Sequence, residues 1–260
     1  MVAGKNSQQP PNLLCFSNPI NNQAEEIHQY AGFDENLSKY LSEKSISEMI
    51  KVNSEISRIL DRLKVPMKIN MGILQNLLQH HLPHTKKVAL GIADNLSDVL
   101  KSNVNRKALV EATSLHDIAK VIIPENIINK AGALDKDELV IMQEHAKLSY
   151  EMLKNTDLSK ETLDLIKNHH DIAPDAESDI NLQILSMADI YSALREKRSY
   201  KSEMTRQQSL AIIKKETEDG KFHPQVYNAL VRYAQKEEKL ANRKSKWQIF
   251  NLKLINSLSA

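Results

Sequence analysis

Residues 114–124 read SLHDIAKVIIP. The stretch is an amphipathic helix running into a proline stop. His116, Asp117 and Lys120 nevertheless stand among Ile118, Val121, Ile122 and Ile123, the most apolar run of the neighbourhood. Burying an unpaired charge there costs several kcal/mol or more, so the fold must supply compensation.

Outward from this stretch, the composition selects helices. The 260 residues suffice for one large domain with an appendage. Only 6 glycines and 5% aromatics are present, while Leu, Ile, Ala, Lys and Glu abound, which predicts an all-α protein and argues against β folds. Basic and acidic residues number 35 and 33, a balance that gives no electrostatic footprint for general nucleic-acid binding. The single cysteine, Cys15, excludes an intramolecular disulfide framework. The N-terminal MVAGKNSQQPPN lacks a basic start and an apolar core, and no run reaches the ~20 apolar residues of a membrane span. These absences set the expectation of a cytoplasmic protein with no membrane partner.

Three segments follow from the patterning. Residues 1–64 form a polar, Pro-containing arm and a helix-prone appendage, with Ile27, Leu37, Leu41, Ile46, Met49, Ile50, Ile56, Ile59, Leu60 and Leu63 at helical spacing and no clustered chemistry. Residues 65–240 carry the helical array. Within it, Asp135 and Glu138 make a capping-box pattern, Ser159 is a candidate cap, and residues 180–195, 205–218 and 224–238 read as helices. Residues 241–260 mix basic and apolar side chains. The basic run Arg243-Lys244-Ser245-Lys246 reads as a solvated face more readily than as a nucleic-acid contact.

The decisive pattern is polar residues on apolar rows, because positions three, four and seven apart share a helix face. His84 lies on the row of Val88 and Ile92, and His116 on that of Leu109 and Ala112. His145 follows Met142, His170 follows Leu163 and Ile166, and Asp189 follows Leu182 and Leu185. Any one of these is more often a hydrogen-bonded core residue than a ligand. Five helices each directing a His or Asp inward, with Asp117 besides, call for a shared cation. Imidazole and carboxylate donors without thiolates suit iron, manganese or zinc. More than one such set in one cavity is a recognised device for phosphate-ester hydrolysis.

These residues, in this order, resemble the HD superfamily of metal-dependent phosphohydrolases, and most closely its HD-GYP branch. LHDIAKVIIPENIINKAGALDKDE, MQEHAKLSYEML and ILSMADIYSALREKRSYK are similar to that branch's successive motifs over roughly residues 80–233. The resemblance implies an HD-domain helical bundle behind the N-terminal appendage. It implies a metal set of His84, His116, Asp117, His145, His169, His170 and Asp189, with Asp117 bridging two divalent ions, iron or manganese before zinc. It also implies that Asp117 and Lys120 act in catalysis, and that Arg198 and Lys201 contact substrate phosphate. The implied substrate is a cyclic dinucleotide such as cyclic di-GMP, or another nucleotide, and the implied activity is phosphodiester hydrolysis.

The chain departs from the branch in several places. HHDIAPDAESDI replaces the GYP-bearing loop, and Ser192 and Ser199 replace an Asp and a Pro of the branch. His80 occupies the position where some members carry a Glu for a third metal. A catalytically degenerate signalling module, with the N-terminal helices contacting a partner protein or a second copy, is the competing reading.

Overall fold

The computed structural model describes residues 35–172, 179–196 and 203–258, with the backbone alone at 249–250 and 252–258. Every regular element among the described residues is helical, as the composition predicts. After a 3-10 turn (Glu35–Tyr40) come α1 (Glu43–Lys51), α2 (Ser54–Leu63) and α3 (Met71–Asn76). A π turn (Leu77–His81) leads without a break into α4 (Leu82–Asp94), followed by α5 (Asp98–Lys101) and α6 (Arg106–Leu115). A second 3-10 turn (Ile118–Ile122), α7 (Glu125–Ile128), α8 (Lys136–Gln143), α9 (His145–Leu153) and α10 (Lys160–Asn168) continue the chain. The last three helices are α11 (Ile180–Arg195), α12 (Arg206–Glu218) and α13 (Pro224–Leu258).

Local chemistry sets these boundaries. Ser42, Asn53, Asn105, Ser159 and Thr205 each accept a backbone N–H from the first turn of the helix that follows. Asp135 and Glu138 form the reciprocal capping box read from their spacing. The helix read as running through 114–124 to the proline stops at Leu115. Asp117 takes φ −101° and ψ 6°, and the chain tightens into the 3-10 turn before Pro124.

Helix α4 is the axis of the bundle, flanked by α11, α6 and α13. A layer of α6, α10 and α9 lies beside it, and α9 also packs on the 118–122 turn. Where α13 crosses α4, Gly91 lets the ring of Tyr233 lie against the backbone. A Cβ at that position would overlap the ring. The residues expected to form an appendage dock on the far side of α9. Leu37, Leu41, Ile46, Ile56, Ile59 and Leu60 belong to the same apolar core as Leu109 and Leu148. Asn53 is the pin of this contact: its amide donates to the Glu151 carbonyl at 2.6 Å and to the Glu151 carboxylate at 2.8 Å.

At the other end, α13 outruns the bundle. Its side chains from Glu238 to Gln248 are exposed, Leu240 and Trp247 among them. The tail read as a separate segment is the continuation of this helix as far as Leu258. No helix among the described residues is long and apolar enough to cross a membrane.

Candidate metal centre

Helix ends build the site. The π turn presents His81, the C-terminal end of α6 presents His116 and Asp117, and α9 opens on His145. The C-terminal end of α10 presents His169 and His170, and only Asp189 comes from mid-helix, on α11. Ligand-type atoms of these residues form three overlapping groups, each spanning no more than 4.8 Å: His145–His169–His170, His81–His116–Asp117 and His116–His169–Asp189. All but His170 are buried, and His170 forms the solvent-facing rim.

The hydrogen bonds of the outer nitrogens decide what the inner ones can do. His116 Nδ1 lies 3.2 Å from the Thr113 carbonyl, His145 Nδ1 2.5 Å from that of Met142, and His169 Nδ1 2.7 Å from that of Ile166. A carbonyl only accepts, so each Nδ1 carries a proton, which leaves Nε2 as the nitrogen whose lone pair can face inward. These lone pairs converge. His145 Nε2 is 3.2 Å from both His169 Nε2 and His170 Nε2, and 3.1 Å from Asp117 Oδ1. Acceptors facing acceptors at such distances repel unless a proton or a metal ion lies between them.

Burial works against the proton. It depresses His169 well below the ordinary imidazole range, with His116 and His170 adding to the effect, and it holds His170 at about 4. Asp117 Oδ1 and His116 Nε2, both buried, make no hydrogen bond. The donor set therefore fits divalent cations. Two ligands on one ion, each at roughly 2.1 Å, have separations of this order.

The other half of the cluster is carboxylate-rich. His81 Nε2 is 3.0 Å from Asp189 Oδ1 and 3.4 Å from Asp117 Oδ2, and His116 Nε2 lies 3.6 Å from Asp117 Oδ2. Asp117 thus turns one oxygen toward His81 and His116 and the other toward His145. Lys120 Nζ caps Oδ2 at 2.6 Å. Burial would raise the Asp117 pKa, but Lys120 and His116 beside it hold the carboxyl ionised well below the usual range. Asp189 is likewise raised by burial and brought well below the ordinary range by His116 and His81. Burial lowers His81, yet Asp189 and then Glu196 overcome it and lift the imidazole to about 9.

The structure brings together six of the seven residues expected to bind metal: His116, Asp117, His145, His169, His170 and Asp189. The seventh, His84, stands outside the cluster, and His81 joins it instead. The row that faces inward is 81, 85, 88 and 92, with His81 and Thr85 buried. His84 stands half-buried to one side, its ring centroid 6.5 Å from that of Tyr191. Spacing within the cluster HHLPH did contain this row, at intervals of four, three and four, but His84 satisfies Val88 and Ile92 equally well. The π turn that ends on His81 leaves no mark in the residue pattern.

His80, considered for a third metal, is exposed, and the position one turn before His81 is the apolar Leu77. Arg198 and Lys201 lie outside the described residues, as does most of the loop after His170, residues 173–178.

Comparison with known proteins agrees with this centre. A family profile described as "HD domain" matches residues 68–226, which span every residue of the cluster. A 3'3'-cGAMP-specific phosphodiesterase 1 of Vibrio cholerae is 28% identical over 63% of this chain and 40% of its own length. A 3'3'-cGAMP-specific phosphodiesterase 2 of the same organism is 30% identical over 48% of this chain and 26% of its own. A cyclic di-GMP phosphodiesterase response regulator of Xanthomonas campestris is 29% identical over 46% of this chain and 35% of its own. The chain thus spans less than half the length of these relatives. From the match over 68–226 and the His/Asp centre held inside it, the chain belongs to the HD-domain family.

Proposed function

We propose that this chain is a metal-dependent phosphodiesterase acting on a cyclic dinucleotide, cyclic di-GMP or 3'3'-cGAMP. One observation carries the reading: neutral Nε2 lone pairs converge at 3.2 Å beside an ionised Asp117 whose two oxygens face the two halves of the cluster. His81, His116 and Asp189 would hold one ion, His145, His169 and His170 the other, with Asp117 shared. Nitrogen and oxygen donors without thiolate suit iron, manganese or zinc, and the resemblance to the HD-GYP branch puts iron or manganese first.

Divalent ions bound there supply an activated water nucleophile and Lewis-acid neutralisation of phosphoryl charge. The chain's residues do the rest. Asp117 stays ionised under Lys120 and keeps both oxygens available. Lys120, with 18% of its side chain exposed, stands between Asp117 and solvent. From there its ammonium donates to a phosphoryl oxygen as negative charge grows in the transition state. Arg198 and Lys201, on the segment 197–202, would grip substrate phosphate, a role that guanidinium and ammonium suit. Arg195 and Arg206 line a cleft at the ends of that segment.

A degenerate binding module is not favoured, because it has no use for a complete set of inward-facing ligands, a costly arrangement to bury.

The test is turnover by chelator-stripped protein reloaded with Mn²⁺ or Fe²⁺, using cyclic di-GMP, 3'3'-cGAMP and a generic phosphodiester. Linear dinucleotide should accumulate with at least one cyclic substrate, and Asp117→Asn should abolish it. Metal-loaded wild-type protein that binds these nucleotides but releases no hydrolysed product would overturn the proposal.

A further inference from the structure

Three of the cluster's histidines owe their tautomer to helix ends. His116, His145 and His169 follow α6, α8 and α10, where the last carbonyls of a helix have no partner four residues on within it, though that of Met142 also takes the Glu144 amide. Each ring takes one such carbonyl, three residues back, with Nδ1.

His81 has no such recourse. The helix runs on from the π turn into α4, so the carbonyls behind His81 do not stand at a helix end. Its Nδ1 is buried and makes no hydrogen bond in this arrangement. A carboxylate faces it instead: Glu196 Oε2 stands 3.5 Å from Nδ1, with 3% of the His81 side chain and 20% of the Glu196 side chain exposed. Glu196 is anchored for this. The Met204 amide donates to the Leu194 carbonyl at 3.1 Å, and the Arg195 guanidinium donates to the Met204 carbonyl, so the end of α11 is clipped in place.

We infer that Glu196 is a positioning residue of the metal centre: its carboxylate holds the Nδ1 proton of His81 and thereby leaves Nε2 as a ligand. A carboxylate behind a metal-binding histidine fixes ring orientation and tautomer and strengthens the inner nitrogen as a donor. The inference rests on reading the cluster as a metal centre. It adds that His81 depends on one side chain from the end of α11, whereas His116, His145 and His169 depend on backbone carbonyls.

The test is metal affinity and stoichiometry, measured on full-length protein by competition with a calibrated chelator. The wild type should take up two Mn²⁺ ions per chain. Glu196→Ala should weaken one of them by about 10-fold or more, the usual scale for losing such a partner, and leave the other in place. Glu196→Gln keeps an acceptor oxygen and should restore most of the lost affinity. Helical circular dichroism checks that both variants fold.

Equal affinity of wild type and Glu196→Ala for both ions would overturn the inference while leaving the metal centre standing. So would equal weakening of both ions, or a Gln variant no better than Ala, because either marks a general structural effect. A wild-type protein that takes up no metal would overturn the inference together with the reading on which it rests.

Discussion

At the scale of single residues, the centre is a contest over protons. Without metal, His81 is lifted to about 9 and His169 and His170 are held down, so at neutral pH the folded protein keeps the His81 ring cationic, with both nitrogens protonated, and the other two rings neutral. Metal binding at pH 7.5 should therefore release about one proton per chain, which calorimetry in buffers of different ionisation heat can count.

The same shifts set stability against pH. His81, raised in the fold, contributes fully below about 6.5, and the contribution is lost as pH climbs through about 9. Asp117 and Asp189, depressed in the fold, contribute above the ordinary carboxylate range and lose that as pH falls. His169 and His170, kept neutral, also withdraw stability as acid charges their unfolded counterparts below about 6.5. The midpoint of thermal unfolding of metal-free protein should peak between these limits, and a profile still rising at pH 10 would contradict the assignment.

His81→Ala should lose one bound ion, while His84→Ala should keep both, as elemental analysis of the two variants will show. His116, His145, His170 and Asp189 were legible in the sequence because each interrupts an apolar row, Asp117 was noted beside His116, and His169 came only with the resemblance. His81 was not, because two histidines three apart satisfied the same row and only the backbone of the π turn chooses between them.

At the scale of elements, the helix ends are where fold and chemistry meet. The caps at Asp135 and Ser159 could be read directly, since capping is a local exchange between a side chain and the next turn. The break after Leu115 could not. It arises where α9 packs on the 118–122 turn and Ser149 Oγ accepts the Ala119 amide at 3.1 Å, a contact thirty positions away in the chain. Asn53 joins both kinds of cause. Its side-chain oxygen caps α2 at the Glu55 amide, and its amide reaches across to Glu151 on α9. Asn53→Ala removes the cap and leaves a buried carboxylate short of a donor, so it should cost roughly 2–3 kcal/mol in denaturant unfolding followed by circular dichroism. A loss under about 0.5 kcal/mol would mean that water replaces the amide.

At the scale of the molecule, the chain's two ends behave in opposite ways. The apolar positions before residue 64 were visible, but a helical stripe does not say what covers it, and the described part of that segment, from Leu37 to Leu60, contributes to the core. Deleting residues 1–64 would bare the outer face of α9 and should leave a protein that aggregates or unfolds at much lower denaturant. Truncation after Glu238 removes side chains that are exposed from Lys239 to Gln248, with Asn251 half-buried, and should lower the unfolding free energy by less than about 1 kcal/mol. Beyond that residue α13 continues for about 30 Å, and it carries the chain's single tryptophan, Trp247, at 66% exposure. The ultraviolet emission of this protein therefore belongs to the projecting helix: it will report whatever quenches or shields that helix, and it will remain nearly silent while the metal centre fills or the bundle beneath it melts.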